Sequence, residues 1–392
     1  FWVARMIMAG IEYKRERPFE HVYFTGMVRD KQGRKMSKSL GNSPDLLQLI
    51  DRFGADAVRF GIMIAAPAGN DLLFDDSSCE QGRFFNNKLW NALKLVKMWE
   101  EAGAHDYDRS KEDFERRTFA ATWFAARLQQ AKEEVDGYYK DFKLSEALKT
   151  IYSLIWDDFC SWYLEWVKPP YGEKIDRHLL VATLDFFEQL MQLLHPFMPF
   201  VTEEIYHQLR ERSEGDDLAI SQFGQLQPHF SMVSSIGNSE VLPLAEKLKA
   251  AITAIRDARV KNGIKPKETV KLYLQTDEWQ AYQTIAPLLQ KQVAAESFEP
   301  ATENITDTIT VVVAKDKFFL QCQTPIDTTA QKEQLLKELD YLKGFLASVE
   351  KKLSNERFVQ NAKAEIVDAE RKKQRDAEEK IKIIEDSLST LA

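Results

Sequence analysis

Two lysines three residues apart, Lys35 and Lys38, stand in the segment Lys35-Met36-Ser37-Lys38-Ser39-Leu40-Gly41-Asn42, with small hydroxylated residues around them. Each ammonium is a compact charge with three donors, able to follow phosphate oxygens as they move. When a nucleophile attacks an α-phosphate, charge builds on the bridging and leaving oxygens, and a lysine placed there stabilises the transition state electrostatically. The segment therefore reads as a mobile loop closing over a polyphosphate, with Gly33 and Gly41 giving hinge freedom at its two ends. An exposed basic turn is the competing reading of the same composition.

The elements that must hold this loop are of mixed α/β type. Phe1 to Met8 reads as the middle of a helix, without the basic start or cleavage site of a signal peptide, so the chain is expected to be a piece of something longer. His21 to Val28 has the β-branched and aromatic content of a buried strand, and Asp30-Lys31-Gln32-Gly33 turns the chain into the loop. Ser43-Pro44-Asp45 follows as N-cap, N1 proline and first-turn acid of a helix ending near Gly54, and a second helix covers Asp56 to Ile64.

From residue 78 onward the pattern is helical. Asn86 to Trp99, Phe119 to Tyr139, Ser145 to Val167 and Arg177 to Leu194 each carry an apolar stripe and are expected to pack as a bundle. Residues 213–240 are rich in Ser, Gly, Gln and Asp and read as a connection. A small α/β unit then combines a helix over Leu244 to Val260 with strands over Thr269 to Gln275, Thr308 to Val313 and Lys317 to Gln323. Finally, Leu335, Leu339, Leu342, Leu346, Val349 and Leu353 form a heptad seam, answered after a break by Ala377, Ile381, Ile384, Leu388 and Leu391. Two seams joined by such a break predict an antiparallel helical hairpin that pairs within one chain.

Composition narrows the classes. The chain has 392 residues, is 44% hydrophobic and carries a net charge of −8, which excludes a disordered polymer. No apolar run is long enough for a membrane helix. Cys79, Cys160 and Cys322 are too few and too scattered for a disulfide scaffold or a four-cysteine zinc module, and fit a reducing, cytoplasmic setting. The six histidines show no ligand spacing, so no protein-bound zinc is expected. The acidic balance argues against whole-surface attraction to nucleic acid, yet the tail from Gln331 is neutral and has its own basic clusters.

Lys35 to Ser39 resembles the KMSKS signature of the class I aminoacyl-tRNA synthetases, and the surrounding text resembles the valyl-tRNA synthetases. The similar blocks are Phe1-Trp2-Val3-Ala4-Arg5-Met6, Gly26-Met27-Val28, Gly54 to Phe60, Asn87 to Ala92, Asp158 to Leu164, His195 to Glu204 and Lys352 to Val359, so the likeness runs from end to end. It implies a multidomain α/β plus all-α protein. Residues 1–77 would be the C-terminal part of a Rossmann-type catalytic domain and 78–235 a helical-bundle anticodon-binding domain. Residues 236–327 would be an α/β junction domain and 328–392 an antiparallel coiled coil.

The resemblance implies ligation of valine to its tRNA through a valyl-adenylate. Lys38 would then sit on the ATP phosphates, with Lys35, Met36, Ser37 and Ser39 forming the rest of the ATP-binding motif and magnesium arriving with ATP. Trp2 falls where the family lines its valine pocket; a core tryptophan is the alternative. No His-x-Gly-His signature occurs in the chain, nor any insertion fit for editing, so the chain alone is expected to be inactive.

The bundle would hold the anticodon arm of a tRNA, with Arg83 to Lys88 mixing the basic, aromatic and amide groups used on unpaired bases. Trp90, Trp156, Trp162 and Trp166 are read as core. The hairpin would lie on the outer corner of the tRNA, using Lys351, Lys352, Arg357 and Arg371 to Lys373 on phosphates in a monomeric protein. Arg256, Arg259, Lys261, Lys265 and Lys267 either contact phosphate or form a solvated face. An isoleucine–tRNA ligase and a non-catalytic tRNA-binding module are the competing identities.

Overall fold

The computed structural model describes residues 1–66, 69–106, 114–222, 238–322, 328–355 and 364–390. Helices dominate, with small sheets between them. The chain divides into two compact units, residues 1–109 with 120–233 and residues 110–119 with 234–392. Among the described residues no helix is long and apolar enough to cross a membrane.

The first unit opens with α1 (Trp2–Ala9), prolonged by the π-helical turn Gly10–Lys14, and none of these residues is buried. The strand expected over His21 to Val28 shrinks to β1 (Val28–Arg29), which pairs in parallel with β2 (Leu72–Leu73). Residues 21–26 have strand composition, but among the described residues no strand is paired with them; only Met27, next to β1, lends its carbonyl to β2. Without a ladder to receive their N–H and C=O groups, residues 21–26 stay irregular, with Val22, Tyr23 and Phe24 exposed.

Helix α2 (Leu46–Phe53) starts later than the Ser43 cap predicts, because Asp45 takes that place. Its carboxylate accepts the Gln48 N–H at 3.1 Å, at the positive end of the helix. Gly54, at φ +90°, separates α2 from α3 (Ala55–Ile64). These helices and the start of α4 (Asp76–Ala102) bury Leu49, Phe53, Ala57, Val58, Phe74 and Cys79 together. Helices α3 and α4 meet backbone to backbone. A Cβ on Gly82 would stand 2.6 Å from the Ala57 carbonyl oxygen, and one on Gly61 would stand 2.7 Å from the Cys79 nitrogen.

The bundle continues with α5 (Phe114–Lys140) and α6 (Leu144–Ser153), the latter running through the π-helical stretch Leu154–Tyr163 into α7 (Leu164–Val167). Helices α8 (Arg177–Leu194) and α9 (Pro199–Leu209) complete it. All four expected helices are present, and α8 has the expected bounds. The π-helical stretch was not foreseen, since its wider turns shift which residues face inward without breaking the apolar run. Trp123, Phe124, Phe159, Tyr163, Trp166 and Phe187 fill the centre, with Tyr163 and Thr183 sharing a buried hydrogen bond of 2.8 Å.

The second unit contains α10 (Asn238–Lys261), β5 (Val270–Gln275), α11 (Trp279–Val293), β6 (Ala295–Pro300), β7 (Ile309–Val313) and β8 (Asp316–Gln321). The sheet order is β6-β5-β8-β7, with β5 and β6 parallel and the other pairs antiparallel. Strands β5, β7 and β8 lie where the sequence places them. Helix α11 and strand β6 were not expected, because Pro287 reads as a breaker and Phe298 is the one bulky residue of its strand.

Helices α12 (Thr328–Leu353) and α13 (Ala364–Thr390) pack through Leu342, Ile381 and Ile384, flanked by Leu339, Leu346 and Leu388. The ion pairs Lys343–Glu385 (2.7 Å) and Lys352–Glu370 (3.7 Å) run in opposite sequence directions, so the two helices are antiparallel. The expected roles of Leu335, Arg357, Leu391 and the strand end at Gln323 lie outside the described residues, as does the connection over 223–237.

Candidate functional site

The Lys35–Asn42 segment is a built loop. Asp30, at its entry, accepts the Gln32 and Arg34 N–H groups on Oδ1 at 3.0 and 2.9 Å. Its Oδ2 accepts the Arg34 Nε at 2.8 Å and the Asn42 amide at 2.9 Å. Asn42, at the exit, accepts the Ser37 N–H on its own oxygen at 2.9 Å and donates to the Lys35 carbonyl at 3.3 Å. One acid and one amide twelve residues apart therefore join both ends of the loop to its middle. The Asn42 amide, with help from Arg34, holds the Asp30 carboxyl well below the usual carboxylate range.

Within this frame the signature residues separate by chemistry. Met36 turns inward and packs on the Leu49–Phe53–Val58 core, and its N–H bonds the Val28 carbonyl at 3.2 Å. Ser37 caps the helical turn Lys38–Leu40, its hydroxyl accepting the Leu40 N–H and lying 3.2 Å from Ser39 Oγ. Gly41 closes that turn at φ +64°. Lys35 and Lys38 remain exposed, and among the described residues neither ammonium has a carboxylate within ion-pair distance. Two cations on a pinned backbone, unneutralised by their surroundings, are available to an anion.

The Asp30–Asn42 bond has a direct test. With Asn42→Ala, the Asp30 carboxyl should titrate at higher pH than in the unaltered chain, while Arg34 and the two N–H bonds still hold it below the ordinary carboxylate range. In the unaltered chain its ionised form should persist to lower pH. A depressed carboxyl contributes stability above its unfolded value and loses that contribution as pH falls through its folded value. Carbon-detected NMR titration of Asp30 in both proteins reads the difference, and coincident curves would remove Asn42 as the cause.

Trp2, the expected valine-pocket residue, is 71% exposed, with the Arg5 guanidinium 4.2 Å from its ring centre. Of the tryptophans read as core, Trp166 is buried, while Trp90, Trp156 and Trp162 are half-buried. Trp156 stacks on Tyr152 and has the Lys88 ammonium 5.1 Å above it. In the Arg83–Lys88 segment Phe85 is buried, whereas Arg83, Phe84 and Asn87 face solvent. Arg259 turns inward to donate to the Lys265 and Glu268 carbonyls at 2.8 and 2.6 Å, leaving Lys261, Lys265 and Lys267 exposed on the loop it pins.

The expectation that no histidine has ligand spacing is corrected by Glu203 and His207, one helical turn apart on α9, which converge with Asp217. The trio has a structural explanation. Glu203 accepts the Leu218 and Ala219 N–H groups at 2.6 and 2.9 Å, and His207 Nε2 lies 3.0 Å from Asp217. All three cysteines are free, and burial pushes the Cys160 thiol up to about 12, so it is not a reactive thiolate.

Sequence reasoning missed Asp30 and Asn42, although the Asp-x-x-Gly turn and the Gly-Asn exit were visible signals. It also missed Asp56 and Arg59 on α3. The Asp56 carboxylate accepts the Phe200 and Val201 N–H groups at 3.3 and 2.6 Å, and burial pushes its carboxyl up against that pull. Arg59 donates from Nε to the Phe197 carbonyl at 3.0 Å and from Nη2 to the Pro196 carbonyl at 3.1 Å.

The chain is similar to known proteins along its whole length. Residues 1–75 match the family model of the class I tRNA synthetases (I, L, M and V). Residues 121–274 match that of the anticodon-binding domain of tRNA ligase, from within α5 to β5. Residues 327–392 match that of the valyl tRNA synthetase tRNA binding arm. The chain is 46% identical over 391 residues to a valine–tRNA ligase of Phocaeicola vulgatus and 44% identical to one of Parabacteroides distasonis, in each case across 100% of this chain and 43% of the relative. A valine–tRNA ligase of Geobacillus stearothermophilus is 35% identical over 405 residues. These names favour valine over the isoleucine alternative. The chain spans less than half the length of these curated relatives, and over that part it is similar to the valine–tRNA ligases from end to end.

Proposed function

We propose that this chain supplies the phosphate-closing loop and the RNA-binding helices of a valine–tRNA ligase. The observation that carries this reading is the pinned Lys35–Asn42 loop, which packs the half-buried Met36 on the core and presents Lys35 and Lys38 to solvent. In the first step the valine carboxylate attacks the α-phosphate of ATP, the α–β bridging bond breaks and pyrophosphate leaves. Lys38 faces the departing phosphates and offsets the charge growing on them, with Lys35 beside it. In the second step a terminal ribose hydroxyl of the tRNA attacks the valyl carbonyl and AMP departs.

The remaining assignments rest on the resemblance. Trp2 would line the valine pocket, and its exposed indole is free to do so. The α4–α9 bundle would take the anticodon arm, with Arg83, Phe84 and Asn87 on its solvent face. The α12–α13 hairpin would act as a coiled coil on the outer corner of the tRNA. Its basic residues are partly neutralised by Glu370, which pairs with Lys352 and Lys373, while Lys351 and Lys372 remain exposed. Magnesium would enter with ATP, and the protein would act in the cytoplasm as a monomer.

The test is a hybrid in which this chain replaces the matching 43% of the Phocaeicola vulgatus ligase. The chain alone is expected to give no valine-dependent ATP–pyrophosphate exchange, and the hybrid to give it with valine above isoleucine and threonine. A hybrid that melts cooperatively, binds tRNA and yet exchanges nothing would favour the non-catalytic binding module.

A further inference from the structure

Helix α3 carries two opposite charges one turn apart, Asp56 and Arg59, and both reach out of their own helix to a single helix–turn–helix. Asp56 is 5% exposed and supplies the acceptor at the N-terminus of α9. That terminus begins with Met198 and Pro199 and has no side-chain cap of its own. Arg59 bonds the Pro196 and Phe197 carbonyls, in the turn that follows the C-terminus of α8. The anion therefore meets the positive end of one helix and the cation faces the carbonyls after the negative end of the other.

The same α3 is fixed on its other sides. Gly82 of α4 touches the Ala57 backbone, and Ser145 Oγ of α6 donates to the Ile64 carbonyl at 2.9 Å. Upstream, only Gly54 separates α3 from α2, and α2 directly follows the Lys35–Asn42 loop and shares the core that holds Met36.

We propose that Asp56 and Arg59 are positioning residues for the ligase reaction: together they set the Lys35–Asn42 loop against the α8–α9 turn, so that Lys38 is held where adenylate formation needs it. This rests on the catalytic reading of the loop given above. Both residues bond the α8–α9 segment and not the loop itself. Their effect is exerted through α2 and the seat of Met36, and a lysine displaced by about 1 Å from its productive position can cost on the order of 100-fold in rate.

The experiment uses the hybrid enzyme with Asp56→Ala, Arg59→Ala, Asp56→Asn and Arg59→Lys, each normalised by active-site titration of the adenylate burst. The alanine variants should lose at least about tenfold in kcat for pyrophosphate exchange with KM for valine unchanged. The conservative variants, which keep one acceptor or one donor, should recover part of that loss. tRNA binding by filter assay should not move.

A merely structural role predicts lower melting temperature and fewer active sites with kcat per site unchanged, and that result overturns the proposal. If the unaltered hybrid shows no exchange, the catalytic reading itself has failed. The clamp is then judged on this chain by amide exchange. Faster exchange over residues 46–64 in the double alanine variant, with α8 unaffected, supports it, and unchanged exchange there refutes it.

Discussion

Replacing Lys38 by alanine in the hybrid enzyme is expected to slow valine-dependent pyrophosphate exchange by about two orders of magnitude or more, the usual cost of removing one preorganised transition-state contact. The geometry makes this an informative substitution. Lys38 opens the short helical turn capped by Ser37, its side chain is exposed, and it has no ion pair among the described residues, so its removal leaves the fold unburdened. A fall in kcat at constant melting temperature is the expected pattern. KM for ATP raised with kcat unchanged would instead assign Lys38 to ground-state binding, and unchanged kcat and KM would remove it from the mechanism. Lys35→Ala should cost less, since Lys35 stands outside the helical turn, on the bridge to Arg29.

The second large effect is on stability. Gly82→Ala places a methyl group 2.6 Å from the Ala57 carbonyl oxygen and 2.8 Å from its Cα, and neither backbone atom can swing aside as a side-chain tip would. Overpacking of this kind costs about 1–3 kcal/mol or more, with the upper end expected here because two helices must separate. For a unit of this size that corresponds to a melting temperature lower by roughly 5–10 °C, readable by calorimetry. Gly137→Ala is the control, since a Cβ there meets nothing within 4 Å and the helix propensity improves. If the two substitutions behave alike, the close crossing of α3 and α4 is not a determinant of stability.

The loop was legible in the sequence because its signal is local: charge type, hydroxyl spacing and flanking glycines all fall within ten residues. Its support was not, because Asp30 and Asn42 meet across the loop and Asp56 reaches Val201 across 145 positions. Long apolar stripes gave the bundle and the hairpin, since period 3.6 and heptad spacing survive without partners. They could not show the π-helical turns of Leu154–Tyr163, which keep the composition and change the phase. His21 to Gly26 shows the reverse failure. Strand propensity is a preference for a neighbour, and the composition is present where no described strand accepts it. In the second unit β5, β7 and β8 announced themselves by alternation, while β6 borrows its order from the parallel edge of β5.

The β1–β2 pair has a kinetic consequence. Its two residues per strand close a chain segment 44 positions long, through bonds such as Leu72 N–H to the Met27 carbonyl at 2.9 Å and the Met27 N–H to Asp71 at 2.9 Å. Closing a segment of that length costs about 3 kcal/mol of chain entropy before any constant term, while each hydrogen bond returns only about 1 kcal/mol. The pair is therefore not a nucleus. It forms after α2 and α3 have settled on α4 and shortened the gap, and it parts before they do. The Lys35–Asn42 loop is tied to itself through Asp30 and Asn42 and to the α2–α3 core through Met36, so it can outlast the parting of β1 and β2 during unfolding.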